Sequence, residues 1–534
     1  MSQNDEHKAG IAPGKVYLVG AGPGDPGLLT LRGAELLGRA DVVVHDHLAA
    51  PALLDLAPAS ARRIYVGKIG PKHALKQEEI NSLLVQEALA GHTVVRLKGG
   101  DPYIFGRGGE EALELKKAGL KFEVVPGVTS AVAAAAAAGI PLTHRDMSSQ
   151  AVIMTGREKP GKERSDHDWA ALAAMGTLSA VMGAENLPQI VQNLLSAGKD
   201  PATPAALVQW GTTPRQRTVA GPLKDIAALA KRDAVGAPAL LVVGRTVNLR
   251  PSLNWFEDRP LWGRTVLVTR TREQAGELSR ALRELGADVI EKPAIKIEKI
   301  NPNPRLLRAF DELSDYKHLI LTSPNGASIF MEALLESGRD GRALAGLNIA
   351  VLGPGTAKAL AAFGLKADLT PEEFIAEGLI KSFQELPRGR CLLARAEEGR
   401  DVLPKSLSDL GFEIDLIPIY RTMTPVWPDV EFSFSRNSES SESSETSEAS
   451  KSSAAGNRRP DLATLTSAST AKGLAAHVPP AERSSLPVAS IGPITTKAAE
   501  EAGFAVVAEA KTATIAALTE AVINYFTSGD GRSS

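Results

Sequence analysis

The amino-acid sequence predicts an α/β fold in two halves, each made of strands that alternate with helices. Three observations carry this. Across Val16 to Gly139, five short apolar runs alternate with segments of helical spacing, and loops follow the runs at corresponding ends. Further on, helix–glycine–strand units recur at Gly286, Gly364, Gly411 and Gly503. Between the two patterns, Pro251 to Pro260 mixes prolines, charges and two aromatics, which is the composition of a joint. A chain of 534 residues is also too long for one core, so two to four compact units are expected, in line with domains of roughly 100–200 residues.

Val16 to Val19 is a short strand that runs into Gly20-Ala21-Gly22-Pro23-Gly24-Asp25-Pro26-Gly27. A helix with Leu28, Leu31 and Leu36 on one face is expected next. Pro23 and Pro26 sit where a dinucleotide-binding turn would already have begun its helix. A loop around a neutral or cationic ligand is therefore favoured over a phosphate cradle. Asp41 to His45 is the second strand. His45 and His47 share a face and Asp46 opposes them; no third ligand is close in sequence, so no metal is expected. Asp46, at a strand end, suits acid/base work, or caps a turn. Ile64 to Lys68 is the third strand and its exit, where Lys68 is a substrate clamp, a proton donor or simply an exposed lysine.

Gln77 to Ala90 is an amphipathic helix with Ile80, Leu83, Leu84 and Ala88 at helical spacing, stopped by Gly91. The strand Thr93 to Leu97 ends at Lys98 and opens into Gly99-Gly100-Asp101-Pro102-Tyr103-Ile104-Phe105-Gly106-Arg107-Gly108-Gly109, before a helical pattern from near Glu110. That is more glycine than a tight turn needs, and it lets backbone approach a ligand closely. Phe122 to Val125 is another strand. It is followed by Pro126 to Ser130 and by Ala131 to Ala138, a helix slim enough to pack against other backbone or a flat ligand.

In the second half, Arg264 to Thr269 starts a fresh strand, and Ala275, Leu278, Leu282 and Leu285 mark a helix ended by Gly286. This half repeats itself. Leu321-Thr322-Ser323-Pro324 is echoed by Leu465-Thr466-Ser467-Ala468, and Gly353 to Ala359 by Gly492 to Ala498. Two similar lobes with hydroxyl-rich loops point to a site in the cleft between them. Those hydroxyls either hold carboxylates or cap the helices that follow. Residues 433–457 form a serine/glutamate-rich tract with almost no apolar content, expected to be a disordered insertion. Residues 1–14 and 527–534 are expected to be a disordered leader and tail.

The net charge of −2 argues against a nucleic-acid partner. The single cysteine, Cys391, rules out a disulfide within the chain and a cysteine-based zinc site, and suits a reducing cytoplasm. No apolar run approaches the roughly 20 residues needed to span a bilayer, so no membrane association is expected.

Several ordered motifs of the first half resemble those of the uroporphyrinogen-III C-methyltransferases, within the tetrapyrrole methylase family. They are Gly20 to Pro26, Tyr65 to Lys68 with Gln77 to Asn81, Arg96 to Gly109, Pro126 to Ala131, Gly139 to Asp146, Asn186-Leu187-Pro188, Trp210 to Gln216 and Gly244 to Leu249. The resemblance covers residues 15–250, with 251–260 as linker. It implies a two-lobed enzyme that holds S-adenosylmethionine between its lobes and acts as a homodimer through this domain. Pro23, Gly99, Gly100, Asp101, Ile104, Thr129, Ser130, Met182 and Gly211 would line the cofactor. Asp46 would accept a proton and Lys68 donate one. The substrate implied is a polycarboxylate, for which Arg32, Arg107, His144, Arg145 and Arg215 are candidate clamps. Val181-Met182-Gly183 departs from the tyrosine that many relatives place before the methionine, and Thr155-Gly156-Arg157 from a histidine often found after the glycine.

The second half resembles uroporphyrinogen-III synthase over about 261–526. The likeness rests on Thr322-Ser323, Gly353 to Ala359, Phe374 to Leu379, Arg400 to Pro404, Pro418 to Thr422 and Ile491-Gly492-Pro493. It implies one lobe of 262–297 plus 422–526 and a second of 298–421 inserted within it. Tyr420, at the crossover, would assist departure of a hydroxyl, or is a core tyrosine. Ser323, Thr356, Ser467 and Thr495 would bind substrate carboxylates. Together the resemblances imply cyclisation of hydroxymethylbilane to uroporphyrinogen III and its double methylation to precorrin-2. The alternative is a methylase of another corrin intermediate fused to an inactive tetrapyrrole-binding domain.

Overall fold

The structure, a computed structural model, describes residues 12–67, 75–157, 165–270, 272–399, 401–427 and 459–528. Lys68, Arg400, the tract at 433–457, nearly all of the expected leader and most of the tail lie outside the described residues. Contacts divide the chain into two compact units. The first runs to Thr265 and takes in Ala281–Asp288; the described residues of the second run from Val266 to Arg280 and from Val289 onward.

The first unit opens with β1 (Val16–Gly20), β2 (Val42–His45), β3 (Arg62–Tyr65), β4 (Val94–Lys98) and β5 (Phe122–Val125), all parallel in the order β3-β2-β4-β1-β5. Helices cover such a sheet on both faces, which is why β1, β2 and β4 are valine-rich and buried on both. Parallel strands put Gly20, His45, Lys98 and Val125 at one edge. β1 and β4 are neighbours whose chains leave in opposite directions, so their end loops flank a topological switch point. A second sheet holds β6 (Ala151–Thr155), β7 (Thr177–Val181), β8 (Pro204–Gln209), β9 (Arg217–Pro222) and β10 (Ala239–Gly244) in the order β6-β7-β10-β8-β9. Only β6 and β7 pair in parallel there.

One expected apolar face is corrected. The helix after β1 is Leu31–Leu37, capped by the Thr30 hydroxyl, and it buries Gly33, Leu36 and Leu37. Leu31 is 91% exposed, because the cap starts the helix one turn later than the leucine spacing implied and turns Leu31 outward.

The second unit holds β11 (Thr265–Val268), β12 (Asp288–Glu291), β13 (Lys296–Lys299), β14 (His318–Leu321), β15 (Asn348–Val351), β16 (Arg390–Ala396), β17 (Glu413–Met423), β18 (Leu462–Leu465), β19 (Pro487–Ser490) and β20 (Ala505–Glu509). They form two sheets, β12-β11-β18-β19-β20 and β13-β17-β16-β14-β15. β13 and β17 pair antiparallel, Lys296 opposite Met423 and Ile297 opposite Thr422. The chain therefore enters the inserted lobe before Lys296 and leaves after Met423, just outside the crossings expected at 297 and 422. Cys391 lies fully buried in β16, and burial pushes its thiol up to about 12. The native chain should accordingly take up no iodoacetamide at mildly alkaline pH and take up one equivalent when unfolded; labelling followed by mass measurement checks this. Among the described residues no helix is long and apolar enough to cross a membrane.

Candidate active site

Four loops meet where the first sheet ends. Ala21 donates its N–H to the Lys98 carbonyl (2.7 Å), and Gly22 and Gly100 exchange backbone hydrogen bonds (3.2 and 2.7 Å). The loops after β1 and β4 thus run side by side. No side chain fits at their crossing: a Cβ on Gly20 would lie 2.5 Å from the Gly127 Cα and 2.7 Å from the Gly100 oxygen. Asp101 braces the loops. Its Oδ2 accepts the Gly127 N–H (2.9 Å), and its Oδ1 accepts those of Tyr103 (2.8 Å) and Ile104 (3.1 Å). Gly100, at φ +67°, presents an open face: a Cβ there would touch only the Thr129 Cα (3.8 Å) and Ser130 N (3.9 Å). Thr129 caps the helix Ser130–Ala137.

The fourth loop, Trp210 to Thr213, comes from the second sheet. Asp25 N–H donates to Thr212 Oγ1 at 3.3 Å. A Cβ on Gly211 would lie 2.3 Å from the Ala134 Cβ, so this glycine and the alanine helix are in the closest contact that backbone allows. Phe105, Arg107, Met182, Trp210 and Thr212 all have φ between +48° and +70°. Apart from Ala234, they are the non-glycine residues of positive φ among the described residues. Each costs about 1–3 kcal/mol, and strain of this kind gathers at ligand clamps. Pro23, Gly99, Gly100, Thr129, Ser130 and Gly211 are part-buried around this junction, while Ile104 and Met182 are exposed.

Asp46 sits beside a buried charge network. Its Oδ1 accepts the Leu48 N–H (3.1 Å), and its Oδ2 pairs with Arg96 Nη2 (3.3 Å). Arg96 also donates to the carbonyls of Val44 (3.4 Å) and Leu97 (3.1 Å) and through Nε to Glu111 (3.3 Å). Glu111 is fully buried; its Oε1 also accepts from Lys98 Nζ (2.7 Å) and Gln77 Nε2 (3.3 Å). Burial, then the charge of Arg96, pulls the Lys98 pKa below its ordinary value against the opposing pull of Glu111. His45 is edge-on to Tyr65, with ring centroids 5.5 Å apart, and burial lowers its pKa. Among the described residues no group of three or more His, Cys, Asp or Glu is placed to hold a metal.

In the second unit, the Tyr420 hydroxyl and Ser323 Oγ lie 2.8 Å apart. Burial raises the Tyr420 pKa. Ser323 and Ser467 cap the helices Pro324–Glu336 and Ala468–His477, accepting the N–H of Gly326 (2.9 Å) and Thr470 (3.1 Å). Thr356 and Thr495 lie in the first turns of their helices, 3% and 4% exposed.

Residues 15–227 match the tetrapyrrole (corrin/porphyrin) methylases, and residues 276–520 match uroporphyrinogen-III synthase HemD. Porphyrin biosynthesis protein HemD of Ruminiclostridium josui is 41% identical over 77% of this chain and 82% of its own length. This chain belongs to that family of fused tetrapyrrole methylases and uroporphyrinogen-III synthases. The uroporphyrinogen-III C-methyltransferase of Bacillus subtilis is 44% identical over 62% of this chain and 68% of its own. A solved uroporphyrin-III C-methyl transferase of Thermus thermophilus, complexed with S-adenyl homocysteine, is 42% identical, covers 44% of this chain and all of its own, and has a TM-score of 0.38.

The methylase half does not gather all five expected clamps at the loops. Arg32 is spent on Glu35 (2.9 Å) and on Glu123 (3.0 Å), the second residue of β5, away from the loop edge. Arg107 stands in the strained loop, forked onto Glu110 at 2.8 Å by both nitrogens. Arg215 lies over the Trp210 ring (4.4 Å). The His144 Nδ1 accepts the Asp146 N–H (3.2 Å), and Arg145 is exposed. Sequence reasoning passed over Arg96, Lys98 and Glu111. The signal was present: two cations at alternate positions of an otherwise apolar parallel strand require a buried counter-charge.

Proposed function

We propose that the synthase half closes hydroxymethylbilane to uroporphyrinogen III and the methylase half converts it to precorrin-2 by two C-methylations with S-adenosylmethionine. The observation that carries the methylation is the junction of glycine-lined, strained loops around Gly100, Thr129 and Gly211. Its crossing is backbone without formal charge, and Ile104 and Met182 add exposed apolar surface. That suits a flat base and a sulfonium better than a phosphate. Pro23, Gly99, Gly100, Ile104, Thr129, Ser130, Met182 and Gly211 would hold the cofactor, with Asp101 shaping the loops. Bound there, the cofactor supplies an electrophilic methyl group. The chain aligns the two partners, which provides most of what a displacement needs. The Asp46 carboxylate, held by Arg96 and the Leu48 amide, accepts the proton that the ring gives up; Lys68 is assigned the opposite transfer by resemblance. Arg107, His144, Arg145 and Arg215 face the substrate's carboxylates.

In the synthase half, Tyr420 donates a proton to the departing hydroxyl, aided by Ser323. Its raised pKa keeps it protonated, so cyclisation should show no loss from tyrosine ionisation up to about pH 10. Tyr420→Phe should slow cyclisation by about 10²-fold. A rate within two-fold of the unaltered chain, at equal melting temperature, would make it a core tyrosine. The methylase half is proposed to form a homodimer, which sedimentation at two concentrations tests.

The deciding experiment supplies hydroxymethylbilane anaerobically, with and without S-adenosylmethionine, and follows products by absorbance and mass. The expected products are uroporphyrinogen III without the cofactor and a doubly methylated ring with it. If hydroxymethylbilane drifted only to the symmetric isomer while added uroporphyrinogen III was methylated, the synthase reading would fail.

A further inference from the structure

The segment after β10 is stitched onto the first unit by polar contacts that end at the strained loop. Arg250 Nη1 donates to the Ala138 carbonyl (2.6 Å) and to Asn254 Oδ1 (3.1 Å); Asn254 Nδ2 donates to Asp258 (2.9 Å). Trp255 Nε1 donates to the Ala136 carbonyl (3.1 Å), and Phe256 is buried. Glu257 is the hub. Its Oε2 pairs with Arg250, and its Oε1 accepts from Thr218 Oγ1 (2.7 Å) and Gln216 Nε2 (2.9 Å). Gln216, 2% exposed, turns its Oε1 to the Thr212 N–H (2.9 Å). Thr212 is the β-branched residue at φ +70° whose Oγ1 holds the loop after β1.

The chain Glu257–Gln216–Thr212 has a definite polarity. A carboxylate can only accept, so it fixes the Gln216 amide with its nitrogen toward Glu257 and its oxygen toward Thr212. Without that orientation, a buried N–H in a left-handed β-branched residue faces either an NH₂ group or nothing, and the loop relaxes toward ordinary φ. We infer that Gln216 and Glu257 are positioning residues for the cofactor loop Trp210–Thr213, so that the joint between the two halves is a working part of the methylase site. This rests on the methylase reading above.

The test uses the full chain. Gln216→Glu sets two carboxylates against each other, and Glu257→Gln added to it removes the repulsion: the introduced amide then donates to the introduced carboxylate, which still accepts the Thr212 N–H. Gln216→Glu should weaken S-adenosylhomocysteine binding, measured by calorimetry, about ten-fold. It should also speed hydrogen exchange in peptides covering Trp210–Thr213, with cyclisation unchanged. The double variant should recover both. Asn254→Ala, which breaks two contacts of the same segment outside the relay, should change neither. The inference is overturned if Gln216→Glu binds and exchanges like the unaltered chain, if the double variant does not recover, or if Asn254→Ala produces the same losses. Failure of the unaltered chain to bind S-adenosylhomocysteine would sink the methylase reading instead, and hydrogen exchange would still decide whether the relay positions the loop.

Discussion

Replacing Asp46 by alanine should slow methyl transfer by about 10²–10⁴-fold, the range for loss of a general base, and leave cyclisation unchanged. The fold should persist, because Arg96 keeps Glu111 and the carbonyls of Val44 and Leu97 when its Asp46 partner is removed. Asp46→Asn makes the test sharp. The amide still accepts the Leu48 N–H and fills the same volume, so a carboxylate that merely shaped the turn would be replaced almost without loss. Single-turnover methylation of uroporphyrinogen III measures both variants. Near-normal rates for Asp46→Asn would reduce the residue to a turn acid, whereas equal slowing of both assigns the proton transfer to its charge.

Glu111→Ala should destabilise the first unit by about 3–5 kcal/mol, because it strands two buried cations. Arg96 and Lys98 are each 4% exposed and share the Glu111 Oε1. Adding Lys98→Met should return part of the loss, since one uncompensated charge leaves with it. Urea midpoints at constant m-value would show both effects. The pH dependence has a definite sign. A lysine whose folded pKa is lowered disfavours its protonated form in the native state, so its penalty fades as pH rises through the folded pKa toward the ordinary 10.5. Without Glu111 that pKa falls further. The deficit of Glu111→Ala should therefore shrink as pH rises toward 10.5; a deficit that grew would mean that Lys98 is not the source.

The strands and glycine loops could be read from the sequence because their causes are local. Valine runs buried on both faces mark parallel strands, and clustered glycines such as Gly99 and Gly100 mark backbone approach. Leu31 misled because a hydrophobic face was inferred from leucine spacing alone, while the Thr30 cap decides where the helix begins. The Glu111 network and the Gln216 relay join residues far apart in the chain. Arg96 and Lys98 announced that a counter-charge was needed, but Glu111 reads as one more acid on a helix surface. Gln216 reads as a loop polar residue until Glu257 is beside it.

The pairing of Lys296 with Met423 bears on the order in which the second unit assembles. The outer sheet must bring Thr269 beside Thr464, which are 195 residues apart in the chain. If the inserted lobe closes first, its two ends already lie side by side, and the outer sheet sees a much shorter effective loop. With closure entropy growing as the logarithm of loop length, this saves about 1 kcal/mol at the step where β11 meets β18. The cheapest route therefore folds this unit from the inside outward, with its first strand waiting for a partner 195 residues further along the chain.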